Sequence, residues 1–353
     1  MPRVHTKISS NPNGIFLIGE APGEQEELTG RPFIGTSGQE LRSMLKDADI
    51  DMDRCHIGNV FTDRPKDNKL EHFCCDLKTA REEMPGYDLP SISKNSYIHP
   101  NKLWELERLR NEICALKPTL IMALGATATL ALLGTSGLLK LRGTLQTCEL
   151  AQGFKVLPTF HPAHVLRFYE NRPVCVADFM KAKLEASYPE IRRPKRQVWI
   201  EPTLGEIRYF KTTYLDQSVN FSVDTETKRK QITCIGFAPS ASIALVVPFV
   251  DHRQASGSYW KTLQEELEAW GVVRDILALP QAKILQNALY DIQYLWRSHG
   301  IVPKGRVEDT MLLHHAFMPE MRKGLDFLGS IYTNETNWKQ MRKNKGEELK
   351  RDE

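Results

Sequence analysis

Polar and aromatic side chains that could bind a ring follow several short apolar runs in the first half of the chain. Glu20 comes two residues after one apolar run, Asn59 lies near the end of a second, and His161 follows a third. Phe33 lies in a glycine-rich segment after the first of these runs. Because open α/β proteins bind ligands at the carboxyl ends of their strands, these four residues are expected at one edge of a sheet. A carboxylate, an amide, an imidazole and an aromatic ring together suit a flat ligand that forms hydrogen bonds.

A second group of side chains with chemical potential lies in the other half of the chain. Asp224 and Glu226 stand two residues apart at the end of an apolar run, so a strand would place both on one face. Asp291 follows another predicted strand and opens a helical pattern, and Asp309 is expected to cap a later helix. Clustered carboxylates suit a divalent metal. The alternative is a scaffold whose acids have no common role.

The composition is that of an ordinary globular protein. The chain has 353 residues, of which 41% are hydrophobic and 26% are charged, and this length predicts two domains. The net charge of +3 does not by itself indicate nucleic-acid binding, so such binding has to depend on local basic clusters. One cluster is formed by Arg192, Arg193, Lys195 and Arg196, and another lies in the tail from 339 to 351. A solvated linker is the alternative interpretation of the first cluster.

Cysteine usage and hydropathy bear on the compartment. The seven cysteines are scattered and form no recognisable disulfide framework, which favours a reducing cytoplasm. No apolar run reaches the roughly 20 residues that a bilayer span needs, and no leader pattern opens the sequence. We therefore expect a cytoplasmic protein with no membrane partner.

The first half of the chain has the periodicity of an α/β fold. Short apolar runs alternate with helical patterns, which indicates a parallel sheet covered on both faces. The predicted strands are 15–18, 57–60, 119–124 and 156–160, and the predicted helices are 38–47, 101–116, 126–133 and 174–186. Residues 64–100 break this alternation and are predicted to form a surface insertion.

The second half follows a different order. The predicted elements are strands at 220–223, 233–237 and 243–248, a helix at 259–277, a strand at 284–286, and helices from about 288 and 310. Three strands followed by helices favour a mixed sheet. Residues 187–202 lose the apolar period and carry prolines, which is typical of an exposed linker. We therefore predict domains at 1–186 and 203–353, joined by a basic linker at 187–202.

The ordered motifs of the first half resemble those of family 4 uracil-DNA glycosylases. They are Gly19-Glu20-Ala21-Pro22-Gly23, Gly30-Arg31-Pro32-Phe33-Ile34-Gly35, Asn59 with Arg64-Pro65, Leu124-Gly125-Ala126-Thr127-Ala128, and His161-Pro162-Ala163 with Leu166-Arg167. The resemblance covers roughly residues 14–186. It implies a three-layer α/β/α domain that flips uracil out of DNA and hydrolyses its N-glycosidic bond.

The resemblance implies that two residues act in catalysis. Glu20 would hold the attacking water against an oxocarbenium-like sugar, and His161 would stabilise the negative charge that accumulates on the leaving base. Taken one at a time, such residues also suit structural roles, as helix caps, core residues or turns. Their order within the motifs favours the functional interpretation.

The resemblance also implies how the base and the strand are held. Phe33 would stack on the flipped base, Asn59 would read its Watson–Crick edge, and backbone amides around Gly19 and Ala21 would help to seat it. Arg167 would contact a phosphate or fill the vacated position in the stack.

The sequence departs from this family at the ligands of a metal cluster. Family 4 members usually carry four cysteines that hold an iron–sulfur cluster, two of them before the first strand. No cysteine lies within 1–14, Asp63 stands where the family would place another, and Cys74 and Cys75 are adjacent. We therefore expect no iron–sulfur cluster, and a DNA-binding module without catalysis becomes the alternative for this domain.

The acids of the second half resemble the first two motifs of the 3′–5′ exonuclease domain of family A DNA polymerases, a ribonuclease-H-like fold. The resemblance implies that Asp224, Glu226 and Asp291 bind Mg²⁺ or Mn²⁺, in a site where one ion activates water and another stabilises the leaving oxygen. The third motif, a Tyr or His followed by Asp, is not found after Gly324. We therefore expect either a fragment of a longer polymerase-like protein or a protein whose exonuclease-like domain is incomplete, and in both cases little or no exonuclease activity.

The order of these two domains resembles the amino-terminal part of certain bacteriophage family A DNA polymerases. It implies a DNA-processing protein of phage replication that excises or senses uracil in the cytoplasm of the host. DNA is the expected partner, with a polymerase domain or other replication proteins beside it. The alternative is a DNA-binding adaptor or clamp of a replication complex that has no catalytic activity.

Overall fold

The computed structural model describes residues 3–335, which form two compact units. One unit is Arg193–Leu325, and the other combines the chain up to Arg192 with the described segment that begins at Asp326. This division differs from the predicted one, in which every residue after 202 belonged to the second domain.

The first unit is built on a five-stranded sheet with a separate two-stranded ribbon. Its strands are β1 (Ile15–Gly19), β2 (His56–Asn59), β3 (Cys74–Cys75), β4 (Tyr97–Ile98), β5 (Leu120–Leu124), β6 (Gln146–Thr147) and β7 (Lys155–Thr159). The sheet order is β2-β1-β5-β7-β6, and all neighbours are parallel except β6 with β7. The ribbon pairs β3 with β4. The four parallel strands are those that the sequence predicts.

Helices cover both faces of this sheet. They are α1 (Glu24–Thr29), α2 (Thr36–Asp47), α3 (Leu77–Glu83), α4 (Leu103–Leu116), α5 (Ala126–Leu133), α6 (Leu138–Leu141), α7 (Pro162–Arg167) and α8 (Arg172–Glu185). Every residue of β1 is buried, as expected of a parallel strand whose two faces are both covered. Phe16 and Ile18 share a core cluster with Leu109 of α4 and Leu130 of α5, while α8 packs on β5 and β7 and α2 packs on α8. The predicted three-layer α/β/α class is confirmed.

The predicted surface insertion at 64–100 contributes to the core. It contains α3 and the β3–β4 ribbon, and its Phe73 and Ile98 lie in the same buried cluster as Phe16. Tyr87 is buried and donates its hydroxyl to the backbone oxygen of Ile98 at 2.7 Å. The segment is irregular because its apolar residues follow no fixed period, yet those residues are what attach it to the sheet.

The second unit contains a six-stranded mixed sheet. Its strands are β8 (Gln197–Trp199), β9 (Asn220–Lys228), β10 (Gln231–Ser240), β11 (Ile243–Pro248), β12 (Ala282–Leu285) and β13 (Val307–Asp309). The order is β13-β12-β9-β10-β11-β8, in which β10 is antiparallel to both β9 and β11 and the other pairs are parallel. This arrangement confirms the predicted ribonuclease-H-like mixed sheet. β8 lies within the predicted linker, so part of that segment is the edge of this sheet.

The helices of the second unit are α9 (Leu204–Phe210), α10 (Leu263–Leu277), α11 (Ala288–His299) and α12 (Thr310–Phe317). Phe221 and Val223 of β9 pack in one buried cluster with Ile276 of α10 and Leu295 of α11. The strand therefore turns its odd-numbered side chains inward and exposes the even-numbered Asp224.

A last helix, α13 (Leu325–Tyr332), belongs to the first unit apart from its first residue. Arg142 donates to the Ser330 hydroxyl and to Asp178, and Lys181 donates to the backbone oxygens of Ser330 and, at 2.7 Å, of Thr333. Of these five residues, all except Thr333 are buried. Because buried charges are tolerated when they are paired and hydrogen-bonded, this network fixes residues 326–335 to the first unit.

Within residues 3–335, no helix has both the length and the apolar character needed to cross a membrane.

Candidate functional site

A cavity of about 400 Å³ lies at the carboxyl ends of β1, β2 and β7 in the first unit. Its walls include Glu20, Ala21, Pro22, Gly23, Glu26, Phe33, Ser37, Asn59, Pro65, Asn68, His161, Ala163, His164 and Arg167. Six of the seven residues predicted for this site are in that wall, and the seventh, Gly19, lies directly behind it. Loops from three separate strands therefore converge as the sequence predicts.

Gly19 lets two cavity residues approach the backbone of β1. A Cβ atom at this position would come within 2.5 Å of both Asn59 Oδ1 and Phe33 Cζ. Phe33 itself has φ of 55°, a left-handed conformation that is costly for a bulky residue. The chain keeps this strain because it turns the ring into the cavity wall, where the side chain is almost completely buried.

Glu26 holds these loops together and was not identified from the sequence. Its buried carboxylate accepts hydrogen bonds from the backbone amides of Gly23 at 3.1 Å, Ile34 at 3.1 Å and Gly35 at 2.8 Å. The available signal was its position three residues after Gly23, which is that of the acidic residue in a capping box. Glu26 thereby ties the segment after β1 to the segment that carries Phe33.

Asn59 is buried at the end of β2 with one polar atom unsatisfied. Its Oδ1 has no hydrogen-bond partner among the described residues, although Asn59 lines the cavity. Arg108 fixes the backbone here, donating to the carbonyl oxygens of Asn59 at 2.8 Å and Val60 at 2.9 Å. Since buried polar atoms are nearly always paired, the free oxygen indicates where a donor on a ligand would bind.

His161 caps α7 and also lines the cavity. Its Nδ1 accepts a hydrogen bond from the Ala163 amide at 3.1 Å, so in the neutral ring the proton is on Nε2. Burial, with smaller contributions from Arg167 and His164, lowers the pKa of His161 to about 4. At neutral pH the ring is therefore an uncharged donor, and its centroid lies 5.9 Å from that of Phe33.

Glu20 follows β1 and also lines the cavity. Its Oε2 accepts a hydrogen bond from the Thr127 hydroxyl at 2.5 Å. Burial is the largest cause of a raised pKa for the Glu20 carboxyl, which the Thr127 bond and Arg167 partly oppose. A carboxylate with restricted solvation beside a cavity is suited to bind and orient one water molecule.

Arg167 lies at the exposed end of α7, at the rim of the cavity. Its Nε donates to the Ala163 carbonyl at 3.2 Å. The neighbouring His164 ring is sandwiched between Phe160 and Phe168, with centroids at 4.9 Å and 4.8 Å. This stack stiffens the helix that presents Arg167.

The predicted basic linker is divided between the two units. Arg192 belongs to the first unit, where it pairs with Glu190 and lies 3.6 Å over the ring of Tyr188. Arg193, Lys195 and Arg196 belong to the second, and Arg196 donates to the Ala241 carbonyl at 3.1 Å. Arg192, Arg193 and Arg196 thus each have a contact within the protein, and a DNA-binding role for the four stays a prediction. The basic tail from 339 to 351 lies outside the described residues.

The three predicted metal ligands lie in one neighbourhood but do not form a metal-binding group. Asp291, at the start of α11, accepts hydrogen bonds from the Thr225 amide at 3.0 Å and hydroxyl at 2.6 Å, and Thr225 stands between Asp224 and Glu226. Strand alternation points Thr225 inward, so Asp291 is buried against it. Among residues 3–335, no three His, Cys, Asp or Glu side chains are arranged to hold a metal ion.

Asp309 has the structural role that the sequence predicts for it. Its carboxylate caps α12 through the amides of Met311 and Leu312. It also accepts from the amides of Asn287 and Ala288, at 3.0 Å and 2.8 Å. With four backbone donors on it, this side chain joins the starts of α11 and α12.

The residues at the expected cluster position do not fit an iron–sulfur cluster. Asp63 forms ion pairs with Lys102 at 3.0 Å and with Arg3 at 3.6 Å. Cys74 and Cys75 are consecutive residues of β3, so their side chains point to opposite faces. Two cations and a carboxylate thus stand where thiolates would be needed.

The fold and the cavity define an α/β protein with a pocket lined by polar and aromatic side chains at the carboxyl edge of its sheet. Residues 7–184 match the model of the uracil DNA glycosylase superfamily. The chain is 31% identical over 173 residues to the type-4 uracil-DNA glycosylase of Thermotoga maritima, which covers 48% of this chain and 76% of that protein. It is 30% identical over 175 residues to the Pyrobaculum aerophilum enzyme of the same name, covering 48% and 74%. The chain therefore belongs to the uracil DNA glycosylase superfamily.

Solved structures similar to this chain include two exonucleases. Escherichia coli RNase D, described as an exoribonuclease involved in structured RNA processing, matches with a TM-score of 0.31 at 17% identity, over 40% of this chain and 34% of that protein. The EXD2 exonuclease domain soaked in Mn and GMP matches with a TM-score of 0.27 at 18% identity, over 38% and 68%. The chain thus spans about a third of the length of RNase D.

Proposed function

We propose that the first unit is a uracil-DNA glycosylase, which hydrolyses the bond between uracil and deoxyribose in DNA. The observation that carries the proposal is the unsatisfied Asn59 Oδ1 in the cavity wall beside Phe33. A uracil ring stacked on Phe33 would present its N3–H to this oxygen and its O4 to the Asn59 amide nitrogen. The cavity of about 400 Å³ is of the size that small ligands occupy, and a base can reach it only after leaving the helical stack.

The neutral His161 ring supplies the electrostatic part of the mechanism. As the N-glycosidic bond breaks, both electrons go to the base, and negative charge collects on N1 and O2 of uracil. The Nε2–H of His161 donates to this developing oxyanion in a site with little water, where such a bond is worth most. An uncharged donor has the further advantage that it releases the anion without an ion pair to break.

Glu20 acts on the sugar side of the same bond. Its carboxylate orients a water molecule toward C1′, and its negative charge stabilises the oxocarbenium-like sugar that forms when uracil departs. Thr127 fixes the carboxylate through the 2.5 Å hydrogen bond. Arg167 at the rim contacts a phosphate beside the flipped nucleotide.

The proposal is tested by the release of free uracil from an oligonucleotide that contains one deoxyuridine. Asn59→Ala should lower the single-turnover rate by about 100-fold, since it removes both contacts to the base edge. Asn11→Ala is the control, because Asn11 is exposed and lies outside the cavity wall. Equal rates for Asn59→Ala and the parent would exclude this assignment.

For the second unit we propose DNA binding without hydrolysis. The supporting observation is that Asp291 is committed to Thr225 and forms no metal-binding group with Asp224 and Glu226 among the described residues. End-labelled single-stranded DNA should stay intact with the parent protein in Mg²⁺ or Mn²⁺. Digestion that disappears in Asp224→Ala would show instead that this unit is an exonuclease.

A role in phage DNA replication is proposed on the order of the two units alone. A glycosylase-family unit followed by a ribonuclease-H-like sheet that carries Asp224 and Glu226 resembles the arrangement in some phage family A DNA polymerases. Uracil release coupled to primer extension by the natural full-length protein would test this proposal.

A further inference from the structure

The hairpin between β9 and β10 ends in three consecutive basic residues, Lys228, Arg229 and Lys230. Lys228 pairs with Gln231 across the strands, which leaves Arg229 and Lys230 as a two-residue loop. Their φ angles are 51° and 66°, so both residues are in the left-handed region. Two-residue hairpin loops with this conformation favour Asn-Gly or Asp-Gly, because those residues adopt it with little strain.

The choice of two long basic residues at these positions weakens the turn. Neither Arg nor Lys has the short polar side chain or the missing Cβ that makes a left-handed conformation easy. The hairpin would therefore form more readily with other residues. What the two residues add is positive charge at the tip.

This charge is not used within the second unit. All three side chains are exposed, and none has a carboxylate partner within 4 Å in the described part of the chain; the Nζ of Lys228 lies 3.5 Å from a ring nitrogen of His252. By contrast, Arg253 is paired with both Asp251 and Glu201 in the same unit. A group of cations without carboxylate partners suits an external anion.

An aromatic ring is fixed beside the base of this hairpin. The Tyr290 hydroxyl and the Thr227 hydroxyl share a hydrogen bond at 2.5 Å, and the Tyr290 side chain is 42% exposed. The Tyr294 ring supports it with a centroid separation of 4.9 Å. Asp224 and Glu226 precede the tip of the hairpin in β9. At the tip itself, the three cations favour an anion and the Tyr290 ring favours a ligand with flat rings.

Building on the DNA binding proposed above for the second unit, we infer that Lys228, Arg229, Lys230 and Tyr290 form its binding site for single-stranded DNA. The three cations would contact successive phosphates, while one unstacked base would stack on Tyr290, which is the combination that single-strand binding proteins use. A duplex would fit poorly, because its bases are stacked on one another and leave no face for the tyrosine. DNA is the favoured strand because the first unit belongs to a family that acts on DNA.

The decisive variant is Arg229→Asn with Lys230→Gly, measured by fluorescence anisotropy of a labelled oligothymidylate on the full chain. It should bind about 10-fold more weakly or worse in low salt, and the slope of log affinity against log salt should fall by about 1.4, or about 0.7 for each lost contact. The melting temperature should stay the same or rise, because the new residues suit the turn. Lys261→Gln with Lys304→Gln is the control, since it removes two exposed charges elsewhere in the same unit.

Two further variants keep the turn unchanged. Lys228→Gln should lower the salt slope by about 0.7, and Tyr290→Leu should weaken binding about 5-fold or more while Tyr290→Phe, which keeps the ring, should bind like the parent. The inference would be overturned if the variant at Arg229 and Lys230 had the same affinity and the same salt slope as the control variant at Lys261 and Lys304. A loss of duplex affinity in Tyr290→Leu as large as its loss of single-strand affinity would overturn the stacking role of Tyr290. A larger loss of affinity for an RNA strand than for a DNA strand of the same length in the Arg229 and Lys230 variant would overturn the choice of DNA.

Discussion

The two units both place acidic side chains at the ends of strands, but the acids make different kinds of contact. Glu20 in the first unit bonds to one hydroxyl and otherwise faces a cavity. Asp291 and Asp309 in the second unit accept hydrogen bonds from backbone amides on neighbouring elements. Backbone donors make an acid part of the scaffold, whereas a cavity leaves it available to a substrate. A motif that matches in sequence therefore indicates a site only where its polar atoms stay uncommitted after folding.

The strongest test of this difference compares His161→Ala with Asp224→Ala. We expect His161→Ala to slow uracil release by about 100- to 1,000-fold, because it removes the donor to the developing oxyanion. Asp224→Ala should leave the rate unchanged, since Asp224 belongs to the other unit. Single-turnover assays on a deoxyuridine oligonucleotide measure both.

His72→Ala provides the matched histidine control, because His72 is exposed and does not line the cavity. If His161→Ala released uracil at the rate of the parent, the first unit could not be distinguished from the second by this test.

The acid side of the pH–rate profile should report Glu20. Burial raises the pKa of its carboxyl above 4.5, and protonation removes the charge that orients water and stabilises the sugar cation. The rate should therefore fall tenfold per pH unit once the pH drops below that raised pKa. His161, with a pKa of about 4, stays neutral over the upper part of this range and does not set the limb.

Single-turnover uracil release between pH 4.5 and pH 8 measures this limb. In Glu20→Gln the rate should be low and nearly independent of pH over that range. An acid limb that persists unchanged in Glu20→Gln would show that another group is responsible.

The elements around the cavity could be predicted because two independent signals agree there. Continuous apolar runs fix the parallel strands, and the residues after them carry the motif, so Glu20, Asn59 and His161 were expected at one edge of a sheet. The capping-box spacing of Glu26 after Gly23 predicts only its bond to the Gly23 amide. Its bonds to the amides of Ile34 and Gly35 depend on the folded chain and have no signature in the sequence. The unsatisfied Asn59 Oδ1 is likewise a property of the folded chain alone.

The attachment of residues 326–335 to the first unit could not be predicted for a related reason. Ser330 contacts Arg142 and Lys181, which are far away in sequence and belong to helices or loops with ordinary amphipathic patterns. Local periodicity carries no information on which unit covers the polar side of a helix. The strand β8 within the predicted linker could not be predicted for the same reason, because it is a strand only through its pairing with β11.

A smaller effect is expected at Asp63 of the first unit. Asp63→Asn should lower the free energy of unfolding by about 1 kcal/mol, because it breaks two partly exposed ion pairs, with Lys102 and Arg3. Urea denaturation measures the change, and it should shrink in high salt. Asp67→Asn is the control, as Asp67 is exposed and has the same chemistry.

A second measurement tests whether the region around Asp63 is held by ion pairs or by a metal cluster. The melting temperature of the parent should be unaffected by a strong iron chelator or by ferricyanide. Stoichiometric iron with labile sulfide in anaerobically purified protein would show that a cluster is bound, and would contradict the interpretation that ion pairs of Asp63 hold this region.

The smallest effect is expected for Asp291→Asn in the second unit. Burial raises the pKa of the Asp291 carboxyl in the folded protein above its ordinary value. At a pH between the pKa of the unfolded state and this raised pKa, the folded protein binds more protons than the unfolded one. The free energy of unfolding therefore falls as the pH rises through that window. At neutral pH the charge is therefore a burden that asparagine removes, while its Oδ1 can still accept from the Thr225 amide and hydroxyl. The free energy of unfolding at pH 7 should stay within about 1 kcal/mol of the parent, and 10 mM Mg²⁺ should shift neither protein's melting temperature. A clear stabilisation of the parent by Mg²⁺ that Asp291→Asn abolishes would show that the carboxylate can leave Thr225 for a metal. The difference between Glu20 and Asp291 would then depend on whether a metal is bound, and not on the fold of the two units.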